Sequence, residues 1–305
     1  MSKYGPYIWP VLTAVVWLVY FAVTLSVPVT GQPPTMLTQA SSILVGILLL
    51  LCVLFAGERP NLPSPVRLAI FIAGLLIVGA AFFFNLHSPA YRGVIALGLM
   101  GIALPVGYWV GNQMEKVTNL VPIAVAFTFA DIFSVFQGPS SKAVEDIQEF
   151  DQEKADRIAE AVANMPPEEA VEAAHEAAAS IRAPLADYVV VQFPVPGTGT
   201  TQAVLGIGDF VIMALLFRVA WVHGINPVAV LVSGIVSIFV ALVVSSALRL
   251  AIPALPFIAV GVIGYLLVTN PRLRRLERQE ILLSVVVAAI FIGLMALRWY
   301  RAVTG

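Results

Sequence analysis

Nine long runs of apolar residues constrain this chain more than any other feature of its sequence. A helix needs about 20 apolar residues to cross the hydrocarbon core of a bilayer. In lipid the backbone must satisfy its own hydrogen bonds, and a helix does so within one segment. The sequence therefore predicts an all-α, polytopic membrane protein with about nine transmembrane helices, over residues 6–28, 38–56, 67–86, 92–111, 119–137, 203–222, 226–248, 251–268 and 281–299.

The composition agrees with this class and excludes several others. Hydrophobic residues make up 59% of the 305-residue chain and charged residues 11%, which is not the balance of a soluble domain. The single cysteine, Cys52, excludes an intramolecular disulfide and a cysteine metal site. The three histidines lack the spacing of metal ligands, and the net charge of −1 gives no reason to expect nucleic acid. We predict membrane lipid as a partner, and neither a metal nor an organic cofactor.

The stretch 138–202 interrupts the apolar pattern and holds 12 of the 18 acidic residues. Its helical periodicity predicts two amphipathic helices, over 140–164 and 167–182. The β-branched and aromatic run 187–195, which includes Val189, Val190 and Val191, predicts one short strand, and residues 197–201 read as a flexible hinge. A lone strand leaves backbone groups unpaired on one edge, so it can pair with an extended peptide.

The distribution of basic residues predicts the orientation in the membrane, because short cytoplasmic loops are rich in Lys and Arg. With the N-terminus inside, the inner loops hold eight basic residues and the outer short loops four. The acidic loop would then be extracytoplasmic. The inner residues are Lys3, Arg59, Arg67, Lys116, Arg272, Arg274, Arg275 and Arg278, and the outer ones Arg92, Arg249, Arg298 and Arg301.

Two aspartates, Asp131 and Asp209, lie inside the apolar runs. Such a residue costs roughly 2.5–3.5 kcal/mol on insertion scales and marks a functional site by default. Counting along the predicted helices places both about 9 Å below the outer surface. Gly206 and Gly208 would let the second helix approach the first. Two close carboxylates share one proton, which suits acid–base hydrolysis of a peptide bond. An ion or proton pathway and a structural aspartate are the alternatives.

A third element, Pro253-Ala254-Leu255, opens the eighth run. Proline removes an amide donor and leaves carbonyls of the preceding turn unpaired. Irregular backbone at membrane depth is tolerated only where it lines a cavity or is buried in protein. The element therefore predicts either a cavity wall or an ordinary helix start with proline in the first turn.

Together the three elements resemble the presenilin and signal peptide peptidase family of intramembrane aspartyl proteases, of the Gly-x-Gly-Asp type, and its prokaryotic homologues in particular. The likeness covers about residues 120–270. It implies that Asp131 and Asp209 form a catalytic dyad that hydrolyses peptide bonds within transmembrane segments or remnant signal peptides. It also implies a substrate-binding role for Gly206, Gly208, Pro253, Ala254, Leu255, Val189, Val190 and Val191.

The chain departs from the family pattern in three places. Ala130 stands where the family has tyrosine, four runs precede the first aspartate instead of five, and a basic loop and a further run follow Leu255. A proton-coupled transporter and a catalytically silent presenilin-like protein are the alternatives from another class, and a prepilin-type peptidase is a lesser one. The predicted organisation is a four-span bundle (1–118), the first aspartate helix (119–137), the acidic loop (138–202), the two motif helices (203–270) and a C-terminal span (271–305).

Overall fold

The fold is mostly helical, as the sequence predicts. The computed structural model describes residues 5–27, 36–57, 62–86, 88–137, 139–163, 183–248, 253–271 and 276–304. Within these ranges the chain forms eleven α-helices, one 3₁₀ turn at Val117–Asn119 and one two-stranded sheet.

The helices follow in the order α1 (Gly5–Leu25), α2 (Met36–Gly57), α3 (Ser64–Phe83), α4 (Pro89–Asn112), α5 (Leu120–Gln137), α6 (Pro139–Val162), α7 (Ala186–Val189), α8 (Ile207–Val222), α9 (Pro227–Leu248), α10 (Leu255–Thr269) and α11 (Arg278–Thr304). Strands β1 (Val190–Val195) and β2 (Thr200–Gly206) lie between α7 and α8. Proline in the first turn begins several helices, where its missing amide costs nothing.

Every one of the nine predicted runs overlaps a helix within the described residues. Four helices within the described residues are long and apolar enough to cross a membrane, namely Thr38–Gly57, Ser64–Phe83, Pro89–Asn112 and Pro227–Ser245. Large apolar side chains are exposed along α1, α3, α9 and α11, for example Leu76 at 66% and Leu282 at 65%. Apolar surface on this scale is what lipid contact requires and what a soluble protein avoids.

The predicted boundaries around the second aspartate are wrong. Residues 203–206 are not helical: they belong to β2, and α8 begins only at Ile207. The predicted strand starts too early, because residues 187–189 lie in α7. The predicted hinge is an ordered turn with Gly197 and Gly199 at positive φ (73° and 67°), followed by the start of β2. Glycine adopts this conformation without the steric cost that a side chain would bring.

The acidic loop is described in part. Helix α6 confirms the first predicted amphipathic helix. The second, 167–182, lies outside the described residues. Strand β1 is not alone: it pairs antiparallel with β2, and the register places Val190 opposite Gly206 and Val195 opposite Thr200. The hairpin therefore leads the chain directly into the Gly-x-Gly-Asp motif.

Strand β1 is the inner strand of this hairpin. It packs against α1, α2 and α4, and five of its six residues are buried. Phe193 fills a notch at Gly46 of α2, where an added Cβ would come within 2.5 Å of the ring. The same ring meets Trp17 edge-on at 6.0 Å. This packing fixes the hairpin on the helical bundle.

Helix α8 lies at the centre of the core and packs most closely on α4. Two glycines of α4, four residues apart, form the contact: a Cβ on Gly107 would lie 2.5 Å from Ala214, and one on Gly111 would lie 2.9 Å from Arg218. Small residues at this spacing let helix backbones approach closely in a membrane. The α4–α8 pair is thus the rigid support of the second aspartate.

Candidate functional site

Asp209 lies in the first turn of α8, just after the end of β2. Its Oδ2 atom accepts a hydrogen bond of 3.1 Å from the backbone N–H of Gly206, so the carboxylate caps its own helix. The first amides of a helix lack intrahelical acceptors, and the helix dipole favours negative charge at this end. The strand-to-helix junction therefore places a carboxylate where the local backbone supports it.

Asp131 lies on α5, six residues before that helix ends at Gln137. Its Oδ2 atom accepts a hydrogen bond of 3.0 Å from the backbone N–H of Leu255. Leu255 is the first residue of α10, so Asp131 caps a neighbouring helix rather than its own. The bond joins the first predicted site residue to the Pro-Ala-Leu element across 124 positions of sequence.

The two carboxylates lie within electrostatic range of each other, and both are half-buried. Each faces the N-terminal end of a short helix. Helix α8 has 16 residues and α10 has 15, which at 1.5 Å per residue gives about 24 and 22 Å. The hydrocarbon core is about 30 Å thick. Both helices are therefore shorter than the hydrocarbon core is thick, and each has one of the two acids at its N-terminal end.

The Pro-Ala-Leu element opens α10. Pro253 is buried, and the carbonyl of Ala254 accepts hydrogen bonds of 3.1 Å from Phe257 and Ile258. Pro256 follows within the first turn. The geometry matches the helix start that the sequence offers as one alternative. The same helix start supplies the amide that binds Asp131.

A small apolar cleft separates the Asp131 helix from the Asp209 helix. Helix α5 forms one wall, α8 the other, and α10 the third side. Leu255 lines the cleft and also binds Asp131, so one end of the cleft lies beside Asp131. The lining residues are Leu120, Ile123, Ala124, Phe127, Ile212, Leu215, Leu216, Leu255, Ala259 and Ile263.

The two motif glycines do not mediate a close helix contact. A Cβ on Gly206 would meet the Asp209 carboxylate at 3.9 Å, which is ordinary contact. A Cβ on Gly208 would have no described atom within 4 Å. Close approach belongs instead to Gly107 and Gly111 of α4. Gly208 leaves open space in the turn that carries Asp209.

The three valines occupy different settings. Val189 ends α7 and is 36% exposed, so its predicted place in a strand is wrong. Val190 and Val191 lie in β1 opposite Gly206 and Leu205. The hairpin thus brings two of the three valines to the glycine motif. Ala130, next to Asp131, is half-buried.

A buried polar network that the sequence analysis missed anchors this hairpin. The Arg92 guanidinium pairs with the Asp187 carboxylate and also donates to the Asp187 carbonyl at 2.7 Å. Gln192 of β1 donates to the other carboxylate oxygen and accepts from Thr201 of β2 at 2.6 Å. The sequence feature that could have predicted this network is the position of two opposite charges, Arg92 and Asp187, each at the edge of an apolar run.

Among the described residues, no group of three or more His, Cys, Asp and Glu side chains is placed to hold a metal ion. Comparison with known proteins gives no match to the chain, whether by family model, curated protein or solved structure.

Proposed function

We propose that this protein is an intramembrane aspartyl protease of the Gly-x-Gly-Asp class, with Asp131 and Asp209 as its catalytic dyad. The observation that carries the proposal is the hydrogen bond from Leu255 to Asp131. It brings the Pro-Ala-Leu element to one acid while the other acid caps the Gly-x-Gly-Asp helix. The three helices that carry these elements, α5, α8 and α10, line one apolar cleft, which supports the proposal.

The chemistry follows from a pair of carboxylates that share one proton. The ionised member takes a proton from water, and the resulting hydroxide attacks the peptide carbonyl. The protonated member donates its proton to the carbonyl oxygen. Breakdown of the tetrahedral intermediate releases an amine, which takes up a proton, and a carboxylic acid. The helix N-termini that face both acids stabilise whichever of them is ionised.

The proposed substrates are transmembrane segments of other membrane proteins. A peptide bond in a helix is shielded by its own hydrogen bonds, so the substrate must first unwind. Unwinding exposes amides and carbonyls that cost several kcal/mol each in lipid. The edge of a strand supplies partners for them without reading side chains. Strand β2 is the candidate for this edge, because helices α1, α2 and α4 cover β1.

A proton-coupled transporter or a catalytically silent protein is the second candidate. Ala130 favours it, since the tyrosine of the family pattern is missing beside Asp131. Such a protein would use the same acid pair to bind protons. Proton flux into liposomes that is lost in Asp131→Asn and Asp209→Asn would support this function over proteolysis.

The test is a gel assay of the purified protein in detergent with a generic transmembrane substrate. We expect Asp131→Asn and Asp209→Asn each to lower cleavage by at least about 10³-fold, because either change removes one member of the acid–base pair. Asp156→Asn, an exposed acid on α6, is the matched control and should cleave like the wild type. Cleavage that persists in a dyad mutant would exclude the proposed mechanism.

A further inference from the structure

Helix α11 follows the Pro-Ala-Leu helix and lies outside residues 120–270, the part of the chain that the family resemblance covers. In the described structure it packs extensively only on α5, the helix that carries Asp131. Its remaining surface is largely apolar and exposed, as at Leu283 and Val285. Any structural role of α11 within the described residues therefore acts through its contact with α5.

A buried polar contact joins the beginnings of the two helices. Thr118, just before α5, donates a hydrogen bond to the carboxylate of Glu280 in the first turn of α11. The other carboxylate oxygen accepts the backbone N–H of Glu277 at 2.7 Å. Both Thr118 and Glu280 are less than 10% exposed. A desolvated carboxylate needs these partners, so the contact sets the position of α11 along α5.

An aromatic contact joins the same helices farther along. The rings of Phe129 and Phe291 stack with centroids 6.3 Å apart and an interplanar angle of 16°. Phe129 follows Thr118 by eleven residues, and Phe291 follows Glu280 by eleven residues. Eleven residues are about three helical turns, or ~16 Å. The two contacts therefore hold α5 and α11 parallel, in one register.

The second contact lies close to the candidate active site but on another face of α5. Phe129 precedes Asp131 by two residues, which is about 200° around the helix axis. Asp131 faces α10 through its bond to Leu255. On the side toward α8, the apolar cleft lies between α5 and α8. Helix α5 is thus held from opposite sides, by α10 at the acid and by α11 behind it.

We infer that α11 is a positioning helix that fixes the rotation and depth of α5 and thereby holds Asp131 at the cleft. Thr118, Glu280, Phe129 and Phe291 are its positioning residues. The catalytic consequence rests on the proposed protease function. A displacement of about 1 Å at a reacting group costs up to about 100-fold in rate, so the loss of this support should lower kcat while KM changes little.

A cysteine pair distinguishes a positioning helix from a gate that must move away. In a Cys52→Ser background, Phe129→Cys and Phe291→Cys together remove the ring stack, and a short bifunctional thiol reagent can then join the two helices. For a positioning helix we expect about 10- to 100-fold lower kcat in the untreated double variant and recovery on cross-linking. A gate would give the opposite result, active when untreated and inactive when cross-linked, and would overturn the inference.

A second measurement does not depend on proteolysis. Hydrogen–deuterium exchange of the backbone amides of α5 should speed up in Phe291→Ala and in Thr118→Val, while exchange in α4 and α8 stays unchanged. Ile290→Ala, at a neighbouring residue that is 56% exposed, is the control for the first change. Thr269→Val is the control for the second, since its hydroxyl donates to the carbonyl of Tyr265 in its own helix and, among the described residues, to no other helix.

The two measurements separate the possible failures. Faster exchange in α5 without cleavage by any variant, wild type included, would leave the positioning role standing and remove the protease. Cleavage by the wild type, with unchanged kcat and unchanged exchange in Phe291→Ala and Thr118→Val, would remove the positioning role and keep the protease.

Discussion

At the scale of single residues, the two acids differ in what holds them. Asp209 bonds to its own helix start, and Asp131 bonds to a helix far away in sequence. The position of Asp209 therefore depends on a local turn, whereas that of Asp131 depends on the packing of α5 against α10. Gly208 belongs to the local turn and leaves open space there.

Two substitutions at Gly208 should both leave the fold stable but differ in their effect on cleavage. No described atom lies within 4 Å of an added Cβ, so Gly208→Ala should fold normally and gain up to about 1 kcal/mol from reduced freedom of the unfolded chain. Gly208→Leu should fold as well but place a large side chain beside Asp209, where substrate must approach. We expect thermal unfolding to show two stable variants and the gel assay to show strong loss only for leucine. Full cleavage by Gly208→Leu would mean that substrate does not pass this turn.

The Arg92–Asp187 pair is the residue-scale anchor of the hairpin. Its side chains are 5% and 4% exposed, so a broken pair leaves a buried charge without its carboxylate. We expect Asp187→Ala to lower the free energy of unfolding by about 3–5 kcal/mol, as measured by denaturation in detergent. Arg157→Ala, which breaks an exposed pair with Glu153 on α6, should have little effect. Equal effects of the two changes would contradict the structural role of the buried pair.

At the scale of elements, the hairpin connects the acidic loop to the candidate active site. Its inner strand is fixed by Phe193 and Trp17, and its outer strand runs into Gly206. An extended substrate that pairs with this hairpin must use the edge of β2. Successive amides of a strand point to opposite sides, and this alternation makes the idea testable.

Single prolines placed along β2 from Thr200 to Ala203, before the irregularity in the pairing that leaves Val204 without a partner, should give a pattern with a period of two. Where the amide points toward β1, proline removes a hairpin bond and should lower the melting temperature. Where the amide points outward, proline removes only a donor for substrate and should lower cleavage at nearly unchanged stability. Stability and cleavage that always fall together, or cleavage that never falls, would exclude pairing at this edge.

At the scale of the whole molecule, the orientation in the membrane decides on which side of the membrane the acidic loop lies. The eight-to-four distribution of basic residues predicts that the acidic loop is extracytoplasmic. In a Cys52→Ser background, we expect a membrane-impermeant maleimide to label Ala159→Cys on α6 in intact cells, because that residue is exposed. Glu115 is exposed in the connection that follows α4, on the predicted cytoplasmic side. Glu115→Cys should therefore react only after the cells are opened. The reverse labelling pattern would show that the acidic loop is cytoplasmic and would contradict the predicted orientation.

Sequence patterns are sufficient to locate the long apolar helices. Runs of about 20 apolar residues leave the backbone little alternative in lipid, so each of the nine predicted runs overlaps a helix within the described residues. The sequence also singled out Asp131 and Asp209, because a charge in such a run is costly. These predictions depend only on residues that are close together in the sequence.

Only the tertiary structure shows which residues of distant segments each helix contacts. Residues 203–206 continue an apolar run and are predicted as helix, yet they belong to β2, since periodicity alone does not distinguish a short apolar strand from part of a buried helix. The amide bound by Asp131 lies 124 residues away. The partner of Glu280 lies 162 residues away. Contacts at such separations depend on how whole helices pack, and local sequence patterns do not predict that packing.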